Sequence, residues 1–175
     1  MDSSEFQDFL ISRTSVRDYL DEDLSEDDIV FLLDSASTAP SAGNLEAWDA
    51  VVIRETDQKE ALMGAAYDQP QLEAAPVLIV VCANYVRSMS RYGERGILYA
   101  VQDATIACTY IMLSAHSRRL HSCWVGAFDE DEVRDILGLP PHIRAVAILT
   151  VGKGKPHGTL TERMAVGEHV HFDAW

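Results

Sequence analysis

Cysteine is scarce in this chain. Cys82, Cys108 and Cys123 are the three that occur in 175 residues, each within an apolar run. No two have the C-x-x-C spacing of a zinc or redox site, and three scattered thiols do not make a disulfide framework. Buried free thiols in a reducing compartment are the expectation. Cations are also few: 14 Lys and Arg against 28 Asp and Glu leave a net charge of −14. A surface of that sign argues against nucleic acid and against an anionic membrane as partners. Uninterrupted apolar runs fall short of a bilayer span. The start, Met1-Asp-Ser-Ser-Glu-Phe6, has neither the basic nor the apolar section of a secretory signal. Repeats, low-complexity segments and an interdomain linker are missing too. The expectation is one cytoplasmic domain covering residues 1–175.

What is present is an alternation of short apolar segments, with 47% hydrophobic and 24% charged residues. Ser4 and Gln7 predict a capping box for a first helix ending near Ser12. Ser25 with Asp28 caps a second, whose buried face is Ile29, Leu32, Leu33 and Ala36, and Pro40 stops it. Ala50–Arg54 reads as a strand. Asp57 and Glu60 suggest a box for a helix to about Ala66. Pro76–Ala83 is apolar throughout and of strand length, as in a strand covered on both faces. Asn84–Gly96 shows no period and reads as a loop or short helix. Leu98–Ser117 is a helix apolar on nearly every side, which predicts burial all round, in a core or against a second subunit. Ser122–Val125 and Ala145–Val151 are further core strands. Between them lies a helix capped by Asp129, with Gly138 beyond its end. The pattern is an α/β layered fold with one sheet.

Three stretches carry chemistry. Arg13-Thr14-Ser15-Val16-Arg17 offers two guanidinium groups, hydroxyls and backbone amides within five residues, a donor set for phosphate or a planar polar edge. Pro40-Ser41-Ala42-Gly43-Asn44-Leu45-Glu46-Ala47-Trp48 packs small and turn-forming residues, suited to close approach by a ligand or to an ordinary helix-to-strand turn. Trp124-Val125-Gly126-Ala127-Phe128 opens a helix whose N-terminus favours negative charge. Weaker candidates give way to plainer readings. Gly152–Gly158 is glycine-rich but opens no helix, so it is not a P-loop. His169 and His171 lack a third metal ligand at useful spacing. Cys123 beside Trp124 is inert packing rather than a nucleophile.

Taken in order, Arg-x-Ser-x-Arg after the first helix, Ala-Pro-Ser-Ala-Gly-Asn-Leu-x-x-Trp, Trp124–Phe128, Ile136–Pro140, Val151–Gly152 and Arg163 resemble the FMN-dependent nitroreductase family over essentially the whole chain. That resemblance implies a three-layer fold with a central, mostly antiparallel sheet flanked by helices, in an intertwined homodimer. The tail, residues 164–175, would pack on the partner subunit. It also implies an FMN site. Arg13, Thr14, Ser15 and Arg163 match positions near the phosphate, and Arg17 matches the pyrimidine edge, where a cation stabilises the reduced ring. Asn44 and Gln69 would hydrogen-bond the ring's polar atoms, and Val125, Gly126 and Ala127 would supply backbone amides. Pro40, Ser41, Ala42 and Asn44 would serve the partner's cofactor. The implied activity is ping-pong reduction of electron-poor small molecules, nitroaromatics or quinones, by NAD(P)H through flavin N5, with no catalytic side chain and no metal. Enoates or halogenated aromatics as acceptors, and flavin binding without turnover, stay open as alternatives. One departure is Glu46, an acid in the cofactor loop where the family usually has glutamine.

Overall fold

The computed structural model describes residues 2–156 and 162–175. Its centre is one four-stranded sheet of β1 (Trp48–Ile53), β2 (Val77–Asn84), β3 (His121–Val125) and β4 (Ile143–Gly152), ordered β1-β2-β4-β3. Each neighbouring pair is antiparallel. β2 is buried along almost its whole length, as its unbroken apolar run requires. Val77, Ile79, Val81 and Ala83 enter one core with α2 (Glu26–Ser37) and α6 (Arg95–Ser117). Leu78, Val80 and Cys82 enter a second core with α3 (Thr56–Ala65), α4 (Gln71–Ala74) and α7 (Glu130–Leu137). The period-2 alternation of one strand thus supplies both cores, making the three layers helix, sheet, helix. The three cysteines are buried and free. Burial pushes the thiols of Cys82 and Cys108 up to about 12.

Helix starts follow local acceptors. Ser25 caps α2 as expected, its Oγ accepting from Asp28 N at 3.1 Å. α1 (Ser3–Ser12) is capped by Asp2 rather than Ser4. The Asp2 carboxylate accepts from the amides of Ser4 and Glu5, both at 2.9 Å, and the Glu5 carboxylate returns to the Asp2 amide at 2.8 Å. A carboxylate is favoured over a hydroxyl there because it also meets the positive end of the helix. The box expected at Asp57 and Glu60 does not form; α3 begins at Thr56 without a side-chain cap.

Two open expectations are narrowed. The irregular stretch after β2 is a helix, α5 (Tyr85–Tyr92), capped by Asn84 Oδ1 accepting from Arg87 N at 3.1 Å. Its apolar residues Tyr85, Met89 and Tyr92 sit at helical spacing, and packing holds it further: a Cβ on Gly96 would lie 2.6 Å from Met89 N, so only glycine lets α6 start against α5. Within one chain α6 is buried on one side. Ala100, Asp103, Ala104, Ala107, Cys108, Ile111 and Ala115 face the core, whereas Leu98 is 46% exposed and Gln102, Thr105 and Thr109 are open. Its 23 residues are long and apolar enough to cross a membrane by length and composition, contrary to the reading of the sequence, but one side of it lies on the sheet.

Candidate functional site

β3 is an edge strand, and the Arg13–Arg17 segment runs along its free side. Val16 N donates to Ser122 O at 3.1 Å, and Ser15 pairs in parallel with Ser122. Val16 is fully buried and anchors the segment. The Tyr19 hydroxyl donates to Val16 O at 2.8 Å and lies 2.6 Å from Thr150 Oγ1; burial raises its pKa above the ordinary range. Arg13 is half-buried, and its Nη1 is buried with no hydrogen-bond partner among the described residues. Thr14 and Ser15 are half-buried and Arg17 is exposed. Burial raises the Cys123 thiol, while Arg17, Ser15 and Arg13 pull it the other way, which places all three beside β3.

At the end of the same strand lies the Val125–Ala127 turn. Val125 is buried, and Gly126 and Ala127 are exposed. Among the described residues neither of the two exposed amides donates a hydrogen bond within the chain. A Cβ on Gly126 would sit 3.0 Å from Trp124 Nε1, so glycine leaves the approach open. Gln69 reaches this turn but as a brace. Its Nε2 donates to Ala66 O at 2.9 Å and Ala127 O at 3.0 Å, and its Oε1 accepts from Gln71 at 3.1 Å. Both amide hydrogens are therefore engaged by the protein. Ser122 and Val125 are three residues apart, so the arginine segment and the exposed amides are separated by about 10 Å along the strand.

Pro40, Ser41, Ala42 and Asn44 lie elsewhere, leading into β1 at the opposite edge. The loop turns through positive φ at Gly43 (60°), Asn44 (56°) and Glu46 (48°). It is gripped from two sides. Asp103, buried in α6, accepts from Ala42 N at 2.9 Å and Ala47 N at 3.1 Å. From α5, Arg87 donates to the carbonyls of Glu46 and Trp48, and its Nη2 pairs with Asp49 at 2.9 Å. Glu46 is used through its backbone: its amide donates to Ser41 Oγ at 3.0 Å while the residue stays exposed. Asp103 and Arg87 are the two residues here that reading the sequence missed. A lone carboxylate in the middle of an apolar helix was the available signal for Asp103.

The Val125–Ala127 turn and the loop lie toward the same end of the sheet, since Trp48 pairs with Ala83, Ala83 with Arg144 and Val125 with Ile148, whereas Arg13–Arg17 lie toward the other end, where Ser122 pairs with Val151. Laterally β2 and β4 lie between β1 and β3, which are three strand spacings, about 14 Å, apart. One chain does not bring the two groups onto one small ligand. Arg163 joins neither group: it is exposed, in a tail whose described residues, 162–175, are all exposed.

A model of the Nitroreductase family matches residues 10–73 and 58–153. The chain belongs to the nitroreductase family. Among its relatives, a putative NADH dehydrogenase/NAD(P)H nitroreductase of Archaeoglobus fulgidus is 31% identical over 150 residues, 83% of each chain. An FMN reductase (NADPH) of Bacillus subtilis is 24% identical over 82% of this chain and 63% of its own length. Nitroreductase A of Vibrio parahaemolyticus has the same fold, with a TM-score of 0.90 at 20% identity over all of this chain and 78% of that one. As a nitroreductase-family member the protein is an oxidoreductase, and the helix–sheet–helix layering expected from the resemblance is the one observed.

Proposed function

We propose that this protein is an FMN-dependent NAD(P)H oxidoreductase acting on electron-poor small molecules, nitroaromatics or quinones, as a homodimer. The observation that carries the proposal is the buried, unpartnered Arg13 Nη1 beside β3, in line with the exposed amides of Gly126 and Ala127. An unpaired buried donor is unfavourable unless a ligand completes it, and a phosphate is the acceptor that a guanidinium matches best. Arg13, Thr14 and Ser15 would hold that phosphate, with Arg163 joining from the tail. Arg17 would stand at the pyrimidine edge, where positive charge favours the reduced form. Gly126 and Ala127 would donate to the ring, and Gln69 would keep their turn in place. When bound, FMN supplies two-electron chemistry, taking a hydride from NAD(P)H and passing the electrons to an acceptor in a separate half-reaction.

The distance between the two loop groups supports the homodimer. With β1, into which the loop leads, three strand spacings from β3, Pro40–Asn44 would serve the cofactor of a second copy, related by a twofold axis. Exposed apolar surface supports the same reading: Phe6 and Ile11 on α1, Leu98 on α6, and Phe172 and Trp175 in the tail. The tail would pack on the partner. Three free thiols suit a reducing cytoplasm. The test is to purify the protein, record its visible spectrum with and without FMN, and add NADH or NADPH anaerobically. Flavin uptake followed by rapid bleaching is expected. A protein that takes up no flavin, or bound flavin that neither donor bleaches, refutes the proposal. Turnover on a panel of nitroaromatics, quinones, enoates and halogenated aromatics then assigns the acceptor class.

A further inference from the structure

The acidic chain carries an unpaired pair of arginines where its cofactor loop meets the junction of α5 and α6. Arg91 lies in the last turn of α5 and Arg95 is the first residue of α6. Both are exposed, and neither forms an ion pair among the described residues, although carboxylates outnumber cations two to one. Aromatic rings hold them in place. Arg91 Cζ lies 5.5 Å from the Tyr92 ring centre and Arg95 Cζ 5.6 Å from that of Tyr99. The two tyrosines meet edge to face at 5.0 Å. The cluster touches the cofactor loop directly, since Arg91 Nη1 donates to Gly43 O at 3.3 Å and a Cβ on Gly43 would collide with the Tyr92 hydroxyl. Gly96, packed on the Met89 backbone, fixes the two arginine-bearing turns relative to each other.

A second observation also favours a negative ligand. The first turn of a helix is the positive end of its dipole, where acidic residues are favoured and cations are not. Arg95 opens the 23-residue α6, whose first turn has no acid and whose N-cap, Glu94, makes no side-chain cap bond. Glu94 is the one carboxylate in the connecting turn, and it pairs with neither arginine. Helix end and guanidinium groups then act in the same direction on an anion.

We infer that Arg91, Arg95, Tyr92 and Tyr99 form a docking site for the phosphates of the nicotinamide dinucleotide donor. This rests on the reading of the neighbouring loop as part of a flavin site. A donor whose nicotinamide lies at the flavin must place its pyrophosphate to one side, and this cluster borders the loop with cations that no carboxylate pairs among the described residues, whereas Arg87 is paired with Asp49. The site would act in binding, with no bond made or broken there. Arg95 is the residue to change, because Arg91 also holds the loop.

The experiment compares the flavin-loaded wild type with Arg95→Gln and Arg95→Lys, measuring anaerobic flavin reduction by NADH, NADPH and a phosphate-free dihydronicotinamide. For Arg95→Gln a rise of about tenfold in the apparent Kd of both dinucleotides is expected, the effect of one charged hydrogen bond. Arg95→Lys should recover part of it, and added salt should weaken dinucleotide binding in wild type more than in Arg95→Gln. The phosphate-free donor should not distinguish the proteins. An equal loss with all donors, or no loss with any, overturns the inference. Titration calorimetry of oxidised dinucleotide onto the flavin-free protein reads the same site without turnover and should weaken in Arg95→Gln. If the protein takes up no flavin, the flavin proposal fails by itself and the calorimetry still decides this one.

Discussion

Asp103 sits 2% exposed in the middle of α6 and holds the Pro40–Trp48 loop by two backbone amides, Ala42 N at 2.9 Å and Ala47 N at 3.1 Å. Replacing it with Asn keeps the shape and one carbonyl oxygen but turns a second donor toward a backbone N–H. One hydrogen bond to a charged group is thereby lost, roughly 1.5–3 kcal/mol. For a chain of this size each kcal/mol moves Tm by roughly 2–4 °C, so a drop of about 3–12 °C is expected by thermal unfolding. If the loop serves the cofactor, the same energy sets an upper limit on the loss of flavin affinity of roughly 10- to 150-fold. Asp103→Ala frees both amides and should be worse on both scales. The assay is Tm without flavin together with the Kd of FMN from fluorescence quenching. Wild-type values on both would refute the role of Asp103. A lowered Tm with unchanged FMN affinity would refute the role of the loop.

Arg13→Gln should bind FMN roughly 10- to 150-fold more weakly while leaving the flavin-free protein no less stable, because the buried Nη1 has no partner to lose among the described residues; the flavin Kd and flavin-free Tm check this together. Gly43→Ala places a side chain at φ 60° against Tyr92 and Arg91, which costs about 1–2 kcal/mol before any steric term; urea denaturation should show at least that loss. Acid should destabilise the protein through two histidines. His116 and His121 both have pKa values lowered from 6.5 by burial, and His121 Nδ1 accepts from Gly154 N at 3.2 Å, which needs the neutral ring. The unfolded chain therefore binds protons first, so stability is full above pH 6.5, falls as the pH drops through 6.5, and levels off below the folded values. Asp28, with its pKa lowered by Arg118 and Ser25, adds a further loss below pH 3.8. Denaturation midpoints from pH 8 to 5 should show a shallower fall in a His116→Gln/His121→Gln variant; equal slopes would refute the histidine contribution.

Elements whose cause is local were legible in the chain. β2 follows from an apolar run that needs cover on both faces, and α2 follows from Ser25 and a regular stripe. The order of short motifs, from Arg13–Arg17 to Val151–Gly152, was enough to point to the family, because so many short patterns in that order rarely coincide by chance. Where two local signals competed the sequence was less informative. Ser4 was expected to cap the first helix, and the Asp2 carboxylate does so instead. The stripe of α5, Tyr85, Met89 and Tyr92, is only two turns long and interrupted by arginines, and an asparagine cap and a glycine contact on the next helix help to hold it.

Tertiary structure decided how the site is divided. Pairing order is a long-range property, and nothing within Pro40–Trp48 or Val125–Ala127 encodes that two strands separate them. The same holds for the groups that hold the loop. Asp103 lies 61 residues from Ala42 and Arg87 41 residues from Glu46, so each becomes a loop residue once α5 and α6 have packed. The unpaired arginines at the α5–α6 junction are likewise a product of packing. Composition by itself determined the negative surface and the free thiols; which of its few cations stand together, and beside what, was settled by the folded chain.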